Sequence, residues 1–428
     1  MPQLSSQNTH WFEKIDLPKT KYRRIYFNIW ENIDTGLMSF LIGPRRVGKS
    51  VILKQLLVNL IEQKNIEPTQ ILYWEFSPSD TQNDLKELVN EYFETVKKPK
   101  TVSYLLLDEI QYIKNWEEVI KLIYDQKPDV KIVLTGSLSL SFKRRMQESL
   151  AGRFLPYYIY QLDFREYLDF TNNSILEGVE DKSLALQNQL AQHLQPEFNY
   201  FLKSGRYPAT LKLSPTQTRA YITSIEYQTI SQDTLNYFNI EKINVFQSIF
   251  NYYKINSGNE VSFQKLASII GHTSTETVAK YTDILELLRL IYIVPNSDNP
   301  LKAVNSNKKI YTNSAFTLNL DTIPESQNLG LAVESYFLEL LLQKYNQITY
   351  FRQRQKEVDF IAWKGLHKDD VSYVGEAFEV KYQNQIDLIR DTKNLLEISK
   401  KLNLKPNVIT RNLLSVEGGV DCVPICLV

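Results

Sequence analysis

Between residues 37 and about 163, short apolar runs alternate with longer stretches whose apolar positions recur at helical spacing. The runs 37–42, Ile71-Leu-Tyr-Trp-Glu-Phe76, Val102-Ser-Tyr-Leu-Leu-Leu107, Lys131-Ile-Val-Leu-Thr135 and Tyr157-Tyr-Ile-Tyr-Gln-Leu162 predict five strands, with amphipathic helices between the first four. That alternation predicts a parallel α/β sheet. From about Phe164 to Tyr237 the strand pattern stops and the chain reads helical and polar, interrupted at Gly205 and Pro208. Residues 240–296 read as a compact helical stretch closing on the apolar run Leu290-Ile-Tyr-Ile-Val294, and Pro295-Asn-Ser-Asp-Asn-Pro300 has linker composition. A last α/β segment fills roughly 325–428. The pattern divides the chain into 1–163, 164–239, 240–298 and 299–428.

Composition narrows the class without choosing a function. A chain of 428 residues, 43% hydrophobic and 23% charged, holds several globular cores. Lys+Arg and Asp+Glu both number 49, so there is no global basic field, and any nucleic-acid surface must be local. Cys422 and Cys426 are too few for a disulfide framework or a four-ligand zinc site and are expected buried near the C-terminal strand; the four histidines are scattered. The N-terminal stretch lacks signal-peptide features, and no uncharged apolar run is long enough to span a bilayer. A cytoplasmic chain without a membrane partner is expected.

The first chemistry lies in Gly43-Pro-Arg-Arg-Val-Gly-Lys-Ser50, between the strand 37–42 and the helical run from Val51. Strand, glycine turn and helix are the setting in which G-x-x-x-x-G-K-[ST] has a mechanism. Gly43 and Gly48 let the loop curl so that backbone N–H groups face phosphate, Lys49 reaches the β/γ-phosphates, and Ser50 ligates Mg²⁺. Gly43, Pro44, Arg45, Arg46, Val47, Gly48, Lys49, Ser50 and Val51 are thus expected to line bound ATP. Leu105-Leu-Leu-Asp108-Glu109 supplies the second half: Asp108 for the Mg²⁺ shell and Glu109 to polarise the attacking water. At the next strand end, Thr135 or Ser137 can contact the γ-phosphate or the water. Arg153 is a candidate arginine finger, in cis or in trans, which would make self-association part of the site; a solvated arginine is the alternative.

Val261–Gly271 and Thr273–Leu288 read as two helices joined through Gly271, with Leu290–Val294 as a wing strand, the helix-turn-helix plan. The second helix opens His272-Thr-Ser-Thr-Glu276 and offers only Lys280, sparse chemistry for reading DNA. A structural lid is the alternative role. Farther on, strand alternation puts Glu379 and Lys381 of Ala377-Phe-Glu-Val-Lys381 on one face, with Asp359 on a neighbouring strand. Two carboxylates for a divalent metal and a lysine beside the scissile phosphate suit metal-assisted phosphodiester hydrolysis. The basic run Phe351-Arg-Gln-Arg-Gln-Lys356 stands beside them; a surface salt bridge is the plainer reading of E-x-K.

GPRRVGKS, LLLDEIQYIKNWEEVIKLIYD, TGSLSLSFKRRMQESLAGR and LDFREYL follow in order a pattern that resembles a group of archaeal and bacterial AAA-type P-loop ATPases with a C-terminal PD-(D/E)xK nuclease-like domain. The resemblance covers nearly the whole chain. It implies an α/β fold: a P-loop ATPase core (1–163) with the sensor strand inserted between the two Walker strands, a helical lid (164–239), a winged-helix-like module (240–298) and a small α/β nuclease-like domain (299–428). It implies Asp108 and Glu109 as the Walker B pair, Ser137 in the sensor segment, and Asp359, Glu379 and Lys381 as the nuclease pattern. Glu334 takes its first-helix acid position, and a second Mg²⁺ or Mn²⁺ would sit there. Leu202–Pro208 is similar to the family's turn near adenine, with Arg206 where the second glycine is usual. Two functions follow: an ATP-hydrolysing ATPase coupled to a DNA-acting, metal-dependent nuclease domain, or an ATP-driven switch whose C-terminal domain binds protein or DNA without cleaving.

Overall fold

Five strands, β1 (Met38–Ile42), β2 (Ile71–Glu75), β3 (Ser103–Asp108), β4 (Val130–Gly136) and β5 (Phe154–Tyr158), form one all-parallel sheet in the order β2-β3-β4-β1-β5. This computed structural model describes residues 2–14, 21–96, 101–136, 150–234, 238, 240–297, 307–317, 325–345, 347–364 and 374–428. The sheet belongs to the first of two compact units, Met1–Gln161. Strands buried on both faces read as continuous apolar runs, which is why β1 and β3 were legible: every residue of both is buried. Helices α1 (Pro2–Gln7), α2 (Arg24–Asn32), α3 (Lys49–Glu62), α4 (Gln82–Glu91) and α5 (Trp116–Gln126) belong to the same unit. The β4 strand lies between β3 and β1, as the resemblance implies.

The fifth strand starts earlier than its apolar run predicts. It opens at Phe154 and includes Pro156, whose missing N–H is tolerated because β5 is an edge strand. Ile159 still donates to Ile42 O at 2.7 Å, so the extended chain continues past the strand's formal end.

The second unit, Leu162–Val428, begins with α6 (Phe164–Phe170), α7 (Leu184–Ser204) and α8 (Pro215–Gln228). Its core gathers Phe164, Phe198, Phe201 and Tyr336, and inside it lies an ion pair between Arg206 and Glu339, each side chain only 3% exposed. Next come α9 (Ile243–Ile255), α10 (Phe263–Ile270) and α11 (Thr275–Leu287), with β6 (Asn259–Val261), β7 (Ile291–Pro295) and β8 (Lys308–Thr312) in an antiparallel sheet ordered β6-β8-β7. The central strand of that sheet thus lies beyond residue 298, where the linker-like composition suggested a boundary. Ser274 caps α11 by accepting from Thr277 N at 3.2 Å.

The chain closes with α12 (Glu325–Lys344), β9 (Gln347–Gln353), β10 (Lys356–Lys364), β11 (Val374–Lys381), α13 (Lys393–Leu402), β12 (Lys405–Thr410), β13 (Ser415–Glu417) and β14 (Val420–Pro424). Its strands form one mixed sheet in the order β13-β14-β12-β11-β10-β9. Cys422 and Cys426 are both buried, as expected. Among the described residues no helix is long and apolar enough to cross a membrane.

Candidate functional site

In a parallel sheet the loops at the strands' carboxyl ends are where ligands bind. The loop leaving β1 is shaped by close approach. A Cβ on Gly43 would lie 2.1 Å from Ile159 O, so only glycine fits, and Gly48 has φ 102° just before α3. Lys49 is buried, and its Nζ donates to Gly43 O at 3.0 Å and Pro44 O at 2.8 Å, which holds the ammonium against the loop's own curl. Arg45 donates to the Tyr112 hydroxyl at 3.1 Å. Within the predicted nine-residue stretch, Val47 packs into the interior while the Val51 side chain is exposed. Neither of those two side chains is a polar contact for nucleotide.

Asp108, at the end of β3, has no exposure. Its carboxylate accepts from the hydroxyls of Ser50 and Thr135, from Tyr73 OH at 3.3 Å and from Glu109 N at 3.1 Å. Burial pushes its pKa above the ordinary carboxylate range, and the hydroxyls of Ser50 and Thr135 pull against that rise. The Ser50–Asp108 contact joins the two halves read from the sequence. Thr135 is fully buried and serves Asp108 and Glu109 N (3.0 Å), so the structure gives it a bracing role in place of the expected phosphate contact. Glu109 sits at φ 55°, a left-handed conformation uncommon for glutamate and frequent at functional sites, and its carboxylate accepts from Gln111.

Three residues here, Arg23, Tyr73 and Glu75, belong to no sequence motif. Arg23 is buried and donates to Val47 O at 2.7 Å and Tyr160 O at 3.0 Å, tying the loop to the end of the β5 segment. Tyr73 links Asp108 to Glu75 Oε2 (3.4 Å), and the Glu75 pKa is raised by burial and then by Asp108. Only the i, i+2 spacing of Tyr73 and Glu75 at a strand end hints at that pairing.

Arg153 lies at the other edge of the sheet. Its carbonyl accepts from Met38 N at 2.8 Å, at the start of β1, whereas the loop follows the end of that strand about 13 Å away. Its guanidinium pairs with Asp125 at 3.0 Å. A finger in cis is therefore excluded, because the side chain faces the wrong end of the strands. Ser137 lies outside the described residues. Arg206, read as part of a turn near adenine, is held by Glu339 and by Leu162 O, beneath the rings of Phe201 (5.4 Å) and Tyr336 (4.9 Å).

A second constellation forms in the C-terminal sheet. The register Phe360↔Phe378, continued one step, sets Asp359 opposite Glu379, and Asp359 Oδ2 accepts from Val380 N at 2.9 Å. A register shift between Val358 and Ile361 marks a bulge at Asp359, a device that re-aims a side chain. Lys381 donates to Glu379 Oε1 at 2.7 Å, in keeping with a shared face, while Glu379 Oε2 is buried and has no hydrogen-bond partner among the described residues. Glu334, on α12, feels Asp359 and Glu379. Burial first, then Asp359, raises the pKa of both glutamates to about 8.

Lysine charge enters from an unexpected element. Lys309 of β8 pairs with Glu357. Burial works against its charge, but attraction to Asp359, Glu357 and Glu334 outweighs that and holds its pKa above the lysine norm. The basic run is largely matched already. Arg352 pairs with Glu260 at 3.4 Å and Glu357 at 3.5 Å, and Lys356 pairs with Glu397. Among the described residues no three His, Cys, Asp or Glu side chains are arranged to hold a metal ion, so Glu334, Asp359 and Glu379 are neighbours without being a coordination shell.

Residues 36–168 match the family model of an AAA domain, and residues 195–320 match a domain of unknown function, DUF8612. An uncharacterized protein of Haemophilus influenzae is 26% identical over 396 residues, covering 88% of this chain and 90% of that protein. An uncharacterized protein of Methanocaldococcus jannaschii is 25% identical over 386 residues, covering 87% and 81%. A solved structure of the Aeropyrum pernix ORC1 protein in complex with DNA aligns at 10% identity and a TM-score of 0.35, covering 76% of this chain and 95% of that one. Over residues 36–168 the chain is thus similar to an AAA domain, and its parallel sheet with a glycine-rich loop after β1 is consistent with a P-loop core.

Proposed function

We propose that this protein is an ATP-hydrolysing AAA-type ATPase whose turnover is coupled to a C-terminal, nuclease-like domain acting on DNA. The contact of the Ser50 hydroxyl with buried Asp108, beside Lys49 and a strained Glu109, supports it most. That donor set fits Mg²⁺: a hydroxyl and a carboxylate already together, the carboxylate otherwise met by neutral groups alone. Ser50 and Asp108 would hold the ion, which neutralises phosphate charge when bound. Lys49 and the loop N–H groups bind and orient the β/γ-phosphates, Glu109 orients the attacking water, and Thr135 and Tyr73 fix Asp108. Purified protein should hydrolyse ATP with Mg²⁺ and lose that activity in Lys49→Ala; ATP hydrolysis unaffected by that substitution would refute the assignment.

For the second unit, Asp359 across from Glu379, with Lys381 on the same face, supports a nuclease-like centre. The three carboxylates do not fit a divalent ion as they stand, since Asp359 accepts from Val380 N and Glu379 from Lys381. That observation favours a second reading, an ATP-driven switch whose C-terminal domain binds without cleaving. Incubating the protein with plasmid and Mg²⁺ or Mn²⁺, with and without ATP, separates the two. Nicking abolished by Asp359→Ala supports the nuclease; intact plasmid under every condition supports the switch. The helix pair α10–α11 exposes Thr275 and Glu276 at the start of its second helix, so we assign the winged-helix-like module a supporting role instead of base reading.

A further inference from the structure

Both faces of β8 are covered. Ile310 and Thr312 turn to the helical module, where Thr312 donates to Tyr253 O at 3.0 Å. Lys309 and Tyr311, the alternate positions, turn to the acidic centre. The Lys309 side chain is 7% exposed, paired with Glu357 and seated 5.1 Å from the centre of the Tyr350 ring. A buried ammonium is tolerated only where opposite charge surrounds it. Tyr311 has no exposure, and its hydroxyl makes no hydrogen bond to the described residues. A Cβ on Gly258 would meet Glu334 Oε2 at 3.1 Å and Tyr311 Cε1 at 3.3 Å, so the ring edge and that carboxylate lie side by side. The carboxyl groups of Glu334, Glu357, Asp359 and Glu379 thus share two nearby lysines, Lys381 from their own sheet and Lys309 from the neighbouring module.

We propose that Lys309 is a resident counter-ion of the acidic centre, placed there by the winged-helix-like module, and that it keeps divalent metal out while β8 is seated. The inference rests on the nuclease-like reading and explains why its carboxylates are gathered but not converged. A fixed positive charge among these carboxyl groups opposes a dication directly, and β7, the strand paired with β8, is fastened to β9 by the two residues that follow it. Asn296 and Arg352 exchange two hydrogen bonds of 3.0 Å, and Ser297 N donates to Tyr350 O at 2.9 Å. Loading the centre then requires Lys309 to withdraw or be neutralised, which makes the module a gate.

The test is Mn²⁺ binding, by calorimetry, to the full-length chain carrying Asp108→Asn so that the P-loop site is silent. Lys309→Met should bind Mn²⁺ about tenfold or more tightly than its Lys309 parent, because one nearby positive charge is gone. Lys309→Arg should bind as the parent does, and adding Asp359→Ala should abolish the gain. Circular dichroism checks folding, and Lys309→Gln serves if the Met variant does not fold. Equal affinity in parent and neutral variants overturns the counter-ion role while leaving the metal reading standing. No Mn²⁺ binding by either neutral variant overturns both.

Discussion

Asp108, which is buried, and Asp359, which is half-buried, are both strand carboxylates beside a lysine, yet their partners differ in kind. Asp108 is met by three hydroxyls and a backbone N–H, while its neighbour Lys49 turns to the loop carbonyls. Asp359 and Glu379 instead face Lys309 and Lys381. A carboxylate held by neutral donors keeps its charge for an incoming cation; one matched by ammonium groups has that charge already answered. In the first centre the carboxylate meets neutral donors, and in the second the carboxyl groups meet lysines supplied by the fold itself.

The largest break in that comparison should come from Lys49→Ala. Losing the only lysine of the P-loop should weaken ATP binding about a hundredfold, read with a fluorescent nucleotide, while Mn²⁺ binding at the C-terminal centre stays unchanged. Next is Arg206→Ala, which strands buried Glu339 and should cost the second unit about 3–5 kcal/mol in urea unfolding. The double change Arg206→Met with Glu339→Leu should recover most of it. Thr135→Val removes one hydroxyl from fully buried Asp108 and should cost about 1–3 kcal/mol, with a matching fall in ATP turnover.

A smaller effect follows from pH. Burial and then Asp359 hold the Glu334 and Glu379 carboxyls well above the ordinary glutamate range in the folded protein, so the native state binds more protons than the unfolded chain above that range. The stability they contribute is complete below the unfolded pKa and declines as pH rises through the folded one. Thermal unfolding of the metal-free protein should therefore fall between pH 5 and 8, and Asp359→Asn should flatten the slope. The smallest expected effect is that of Arg153→Ala, whose exposed pairing with Asp125 predicts ATP turnover within about twofold of wild type. A collapse in turnover, restored by mixing with Lys49→Ala subunits, would instead establish a finger in trans.

What the sequence made legible was local. Gly43–Ser50 and Asp108–Glu109 were readable because strand, turn and helix give those residue types one chemistry, and Glu379 and Lys381 because alternation fixes a shared face. What escaped it depends on partners far along the chain. Arg23 reaches Val47 and Tyr160, Tyr73 reaches Asp108, and β8 crosses a linker-like stretch to pair with β6 and β7. Lys309 lies in Lys308-Lys-Ile-Tyr-Thr312, a segment without a motif, and only the packing of both faces of that strand reveals its burial. The β5 boundary was missed because Pro156 argues against a strand until the strand is known to be an edge. Arg206, a departure from the glycine turn, is explained by Glu339, a partner 133 residues away.

Glu109 offers the most direct test of ATP hydrolysis by this protein. Nucleotide affinity and steady-state ATP turnover should be measured side by side in wild type and Glu109→Gln, with Mg²⁺ present. Affinity within about threefold of wild type and turnover reduced about a hundredfold or more is the predicted result, since the change removes only the group that orients water. Wild-type turnover in the Glu109→Gln protein would contradict it.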